Sequence, residues 1–139
     1  MEQLVIDANV VVKLFINERY SDAALKFKDG YIVGRFEVTV PSLMEYEFIN
    51  TLKYKKFSKE ETLAALNVVR NLGFDVEAPS TLFADLIIEF SYKYNLTSYD
   101  ASYLALAYML GINFYTADEK LIDSVKGLTF VKHIKDLGA

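Results

Sequence analysis

Leu4, Val5 and Ile6 form a short apolar run with no polar alternation, and it ends on Asp7. Such a run suits a strand buried on both faces, as in a parallel sheet, with Asp7 at its carboxyl end. From Asn9 to Ile16, the apolar positions Val10, Val11, Leu14 and Phe15 share one face of a short helix. A second helix is expected from Ser21, as its N-cap, to Lys28. Gly30 and Gly34 then loosen the chain around Tyr31 to Val33. Phe36 to Val40 alternates, carries the β-branched Val38 and Val40, and reads as a second strand ended by Pro41.

The period turns helical from Ser42 to Lys56, with Leu43, Tyr46, Phe48, Ile49 and Leu52 apolar. Ser58 and Glu61 form a capping-box pattern that opens another helix, and Gly73 stops it after Leu72. Phe74 to Val76 is a short third strand, and Pro79 with Ser80 begins a helix reaching Tyr94. Asn95 breaks that helix and Thr97 starts the next, which runs to Gly111 and holds Ala101, Ala105 and Ala107 for close packing on a sheet. Ile112 to Tyr115 is a fourth strand, Thr116 to Ser124 contains a short helix, and Leu128 to Val131 is a last strand. No internal repeat, linker or low-complexity stretch interrupts this order. Strands alternating with helices predict one domain over residues 1–139, a three-layer α/β/α fold around a parallel sheet of four to five strands.

Composition narrows the chemistry. Hydrophobic residues make up 53% of the chain and charged ones 24%, the balance of a folded globular domain. A chain of 139 residues buries roughly two thirds of its unfolded surface, enough for one core. There is no Cys, and His133 is the one histidine. Disulfides, thiol nucleophiles and thiolate zinc sites are thereby excluded, and any bound metal must be held by oxygen. Glu2, Asp7 and Lys13 interrupt the N-terminal apolar run, and no window reaches membrane-spanning length, so the expected location is the cytoplasm. The net charge of −4 argues against simple electrostatic coating of nucleic acid. It leaves room for an acidic pocket that loads divalent cations and so presents positive charge to phosphates.

Four acids fall at one edge of the predicted sheet. Asp7 ends the first strand, Glu47 lies in the second turn of the helix leaving the second, and Asp118 follows the fourth. Asp100 is in the first turn of the helix leading into the fourth strand. A helix that returns to start a parallel strand has its own N-terminus at the carboxyl edge. Each acid also has a plainer role. Asp7 or Asn9 can cap the first helix, Thr97 with Asp100 and Thr116 with Glu119 resemble capping boxes, and Asp118 suits a helix N-terminus. Carboxylates gathered together raise one another's pKa unless a cation neutralises them, and their convergence favours a metal. Oxygen ligands suit Mg²⁺ or Mn²⁺, ions that promote phosphodiester hydrolysis without a protein nucleophile.

With these residues in view, the chain resembles the PIN-domain family, and within it the small single-domain ribonuclease toxins of the VapC type. IDANVVVK, PSLMEYEFINTL, LTSYDASYLALA and FYTADEKL carry the likeness, which covers almost the whole length. The motifs are short, and their spacing is as specific as their letters. The resemblance implies that Asp7, Glu47, Asp100 and Asp118 are the catalytic acids. It further implies that Asp7, Asp100 and Asp118 hold Mg²⁺ or Mn²⁺, while Glu47 completes the pocket and orients the attacking water. Asn9 and Thr116 match supporting polar positions. Glu45 competes with Glu47, but the family's glutamate precedes an asparagine by three residues, as Glu47 precedes Asn50.

The implied activity is divalent-metal-dependent endoribonuclease cleavage of RNA, leaving a 3′-hydroxyl and a 5′-phosphate, by the toxin of a type II toxin-antitoxin pair. The implied partners are RNA, a cognate antitoxin docked near the first two helices at Val11, Leu14, Phe15, Tyr20 and Leu25, and a second copy in a homodimer. Those five apolar residues equally suit a core. Lys53, Lys55, Lys56 and Lys59 could follow a phosphate backbone, with Lys13 and Arg35 as isolated candidates, although a solvated helix end explains the cluster as well. Tyr92, Tyr94, Tyr99, Tyr103 and Tyr108 suit base stacking, a core or a dimer surface. His133 has no expected role. A rival reading is a non-catalytic metal-binding or receiver-like module. Asp75 inside the third strand and Lys120 within a helix fit the receiver pattern poorly. A third keeps the nuclease but changes the substrate to single-stranded DNA or to ribosomal RNA processing.

Overall fold

The computed structural model describes residues 1–138. Its strands are β1 (Glu2–Ile6), β2 (Phe36–Pro41), β3 (Asp75–Glu77), β4 (Asn113–Thr116) and β5 (Val131–His133), all parallel, in the order β3-β2-β1-β4-β5. Parallel neighbours require crossover connections. These are supplied by α1 (Ala8–Val12), α2 (Ser21–Ile32), α3 (Leu43–Tyr54), α4 (Lys59–Leu72), α5 (Thr81–Tyr94), α6 (Ser98–Leu110) and α7 (Glu119–Ser124).

β1 sits at the centre of the sheet. Successive residues of a strand face opposite sides, and Leu4, Val5 and Ile6 are all fully buried. Helices therefore cover both faces, which gives the three expected layers. α6 is the most enclosed helix: every residue from Ala101 to Ala107 is buried, and it touches β1, β2, β4 and α5. Ala101, Ala105 and Ala107 have no exposed surface, so their small side chains let α6 lie close against its neighbours.

Most boundaries follow local chemistry. Ser58 and Glu61 close a reciprocal capping box at 3.0 and 2.8 Å, and α4 ends on Gly73 in the left-handed conformation. Asn95 and Gly111 end α5 and α6 in the same conformation. Five expectations are corrected. α1 ends at Val12 rather than Ile16, and the Leu14 and Phe15 N–H groups turn back to the Val11 and Val12 carbonyls. α2 runs through Gly30 to Ile32, because the helix needs a residue without a side chain there: a Cβ on Gly30 would stand 2.5 Å from Phe36 Cε2. Ser21 is not its cap. Tyr20 precedes the helix at φ 70°, while Ser21 Oγ donates to the Ile16 carbonyl at 2.7 Å and accepts the Glu18 N–H at 2.9 Å. Thr116 belongs to β4, so Asp118 caps α7 and no Thr116–Glu119 box forms. The last strand starts at Val131 rather than Leu128, where pairing with Phe114 begins and the Leu128 N–H is held in a turn by the Val125 carbonyl. Among the described residues, no helix is long and apolar enough to cross a membrane.

Candidate active site

Asp7 follows β1 directly and begins α1. Its N–H extends the sheet by donating to the Tyr115 carbonyl at 3.1 Å, and its Oδ1 caps α1 by accepting the Asn9 N–H at 3.4 Å. Capping therefore engages one oxygen. The other, Oδ2, accepts from Thr116 Oγ1 at 2.8 Å.

Thr116 joins two loops at the carboxyl edge. Fully buried at the end of β4, its hydroxyl donates to Asp7 and accepts both Asn9 Nδ2 at 3.2 Å and the Asp118 N–H at 3.0 Å. Asn9 Oδ1 accepts the Ala117 N–H at 3.2 Å, and Asp118 Oδ1 accepts the Leu121 N–H at 3.0 Å. The loop after β1 is thus tied to the loop after β4 through small polar side chains.

The remaining acids arrive on helices. Asp100, in the first turn of α6, donates its N–H to Thr97 Oγ1 at 3.1 Å. Glu47, on α3, accepts the Tyr103 O–H at 2.6 Å. Glu45 is engaged elsewhere, paired with Arg70 of α4 at the surface.

The charges of the four acids act on one another. Burial, opposed by the Thr116 and Asn9 hydrogen bonds and reinforced by Glu47 and Asp100, pushes the Asp7 carboxyl up to about 7. Burial also raises Glu47, with Tyr103 opposing and Asp100 adding, and raises Asp100, with Asp118 adding. The same burial and the nearby Asp7 and Glu47 lift the Tyr103 phenol far above its ordinary range, so it stays a donor. Among the described residues, none of the four acids forms a salt bridge. The result is negative charge drawn together without a protein cation to balance it.

That donor set suits a hard divalent ion in kind: carboxylate and hydroxyl oxygen, with no sulfur or imidazole. Among the described residues, no group of three or more acidic or histidine side chains is arranged to hold a metal ion outright. Mg²⁺ tolerates this, because it keeps several waters and takes one or two carboxylates directly. Cavities of 680 and 890 Å³ lie along α2, β4 and the C-terminal segment, and none of the four acids lines them.

The sequence model of the PIN domain family matches residues 4–128. The chain belongs to the PIN domain family. No curated protein sequence matches this PIN domain. Among solved structures it is similar to PAE2754 from Pyrobaculum aerophilum, at 24% identity and a TM-score of 0.69, over 98% of this chain and 86% of that one. It is similar to a toxin-antitoxin complex from Klebsiella pneumoniae at 20% identity and a TM-score of 0.65, over 92% and 94% of the two chains. It also resembles VapC20 of Mycobacterium tuberculosis, described as a sarcin-ricin loop cleaving toxin, at 16% identity and a TM-score of 0.69, over 88% and 95%. At these identities the likeness is one of fold.

The other candidates disperse. Lys13 pairs with Glu18 at 2.9 Å, and Lys55 stands 3.7 Å from the same carboxylate, so these cations are partly neutralised. Arg35 lies over the Phe36 ring. Tyr92, Tyr99 and Tyr108 are exposed, whereas Tyr103 is buried against Glu47. Composition counts Tyr103 as one aromatic among many. The signal that separates it is its place one helical turn beyond Asp100, on the same helix face.

Proposed function

We propose that this PIN domain is a Mg²⁺- or Mn²⁺-dependent endoribonuclease and the toxin of a type II toxin-antitoxin pair. The observation that carries the reading is the set of acids at the carboxyl edge, Asp7, Glu47, Asp100 and Asp118, without a salt bridge among the described residues, with burial and neighbouring acids raising the pKa of Asp7, Glu47 and Asp100. Asp7, Asp100 and Asp118 would hold the ion, directly or through water. A bound divalent ion supplies charge neutralisation at the phosphate and at the attacking and leaving oxygens. The Asn9 N–H and the Thr116 hydroxyl hold the Asp7 carboxylate, and Thr116 also accepts the Asp118 N–H. Glu47 would accept a hydrogen bond from the attacking water and so aim it at phosphorus. Water adds at phosphorus and the bond to the 3′ oxygen breaks, which leaves a 3′-hydroxyl and a 5′-phosphate.

The partners follow from the same reading. RNA is the substrate, and the Klebsiella toxin-antitoxin complex of like fold supports an antitoxin. Leu14, Phe15 and Tyr20 are half-buried and Leu25 on α2 is exposed, so they would receive an antitoxin segment, while Val11 is committed to the core. A homodimer and a cytoplasmic location belong to the same proposal.

The test is cleavage of labelled RNA in Mg²⁺ or Mn²⁺ by the parent, Asp7→Asn and Asp100→Asn, with circular dichroism as a check on folding. Loss of a residue that merely supports a ligand costs about 10- to 100-fold, so loss of a ligand should cost more than that. Variants that fold and cleave as fast as the parent would sink the assignment.

A further inference from the structure

Tyr103 is a buried ionisable group that the roles above leave unused. It is 1% exposed, and its ring stacks on Phe114 of β4 with centroids 5.4 Å apart and planes at 19°. Core packing therefore fixes the ring. Its O–H donates to Glu47 Oε1 at 2.6 Å, from α6 to α3, and the backbone N–H of Ala8, next after Asp7, approaches the same phenol oxygen. That hydrogen bond joins α6 to α3, with the phenol oxygen beside the start of α1.

A glutamate side chain is flexible, and a half-buried one without a fixed donor samples several rotamers. A hydrogen bond to an ionised acceptor is stronger than a neutral one, and here its donor cannot swing away. We propose that Tyr103 is a positioning residue, holding Glu47 by Oε1 so that Oε2 is presented to the attacking water. The role of the water rests on the nuclease reading. The placement of the carboxylate by Tyr103 does not.

The experiment compares the parent, Tyr103→Phe, Glu47→Gln and the double variant. Phenylalanine keeps the ring and removes only the O–H, and circular dichroism reports the fold. Crystal structures of the parent and Tyr103→Phe give the first readout, in which the Glu47 carboxylate leaves its position or spreads over several in the variant. Steady-state RNA cleavage in Mn²⁺ gives the second. The expected result is a fall in kcat of about 10- to 100-fold with KM nearly unchanged. In the Glu47→Gln background, Tyr103→Phe should add almost nothing, because the two residues act as one unit.

A Glu47 carboxylate that stays in place in Tyr103→Phe overturns the proposal whatever the cleavage rates. So does an equal loss of kcat with and without Glu47, the mark of a purely packing role. If the parent cleaves none of the RNAs offered, the carboxylate positions still decide whether Tyr103 fixes Glu47.

Discussion

Held at 8% exposure beside Glu47 and Asp100, the Asp7 carboxyl keeps its proton up to about pH 7, whereas an ordinary aspartate loses it near 3.8. Below about 3.8 both folded and unfolded chains are protonated, and the group leaves stability unchanged. Between 3.8 and about 7 the unfolded chain releases a proton that the native state retains. Stability then falls by roughly 1.4 kcal/mol per pH unit until the native carboxyl ionises too. Asp7→Asn removes this slope and keeps an oxygen for the Thr116 hydroxyl. Without metal, it should be more stable than the parent by a few kcal/mol at pH 8 and about equal to it near pH 3.5, read from urea midpoints across pH. Identical slopes for parent and variant would show that Asp7 is not the buried acid. The sequence places Asp7 at a strand end but leaves capping and chemistry open, since both need a carboxyl oxygen at a helix start. The partner that distinguishes this aspartate, Thr116, is 109 residues away, and no local pattern encodes the contact.

Elements whose ends are set by their own residues were legible in the sequence. Ser58 with Glu61, Gly73, Asn95, Thr97 and Gly111 bound their helices where cap chemistry predicts. The errors fall where a distant residue decides. Gly30 resembles a helix breaker, yet α2 continues through it, because Phe36 on β2 occupies the space a Cβ would take. A helical Gly→Ala change ordinarily stabilises, by about 1 kcal/mol at most. At this position the contact should reverse the sign, since the Phe36 ring is 6% exposed and stacks on Phe27, leaving it little room to yield. Gly30→Ala should therefore lower the melting temperature, by an amount corresponding to about 1–3 kcal/mol. An increase would mean that the ring moves aside freely.

For the whole molecule, alternating strands and helices specified a parallel sheet with both faces covered, and the structure has that form. Periodicity does not encode the strand order β3-β2-β1-β4-β5. In that order β1 takes the centre, with β2 and β4 paired on either side. The order has a consequence for the acids. Placing β4 beside β1 brings Thr116 and Asp118 to Asp7, and α6 between α5 and the sheet brings Asp100 to the same edge. Glu45 and Glu47 are both helical glutamates in sequence. Their surroundings separate them, Arg70 for one and Tyr103 for the other.

The central claim is that these acids form one cation site. Isothermal calorimetry of Mn²⁺ binding to the metal-stripped protein, beside Asp100→Asn, tests it without requiring the right RNA. Saturable binding is expected in the parent, with proton release at pH 6 as the Asp7 carboxyl ionises. The Asn variant should bind at least about tenfold more weakly. No binding by the parent, or equal binding by the variant, would contradict the claim that Asp7, Glu47, Asp100 and Asp118 act together.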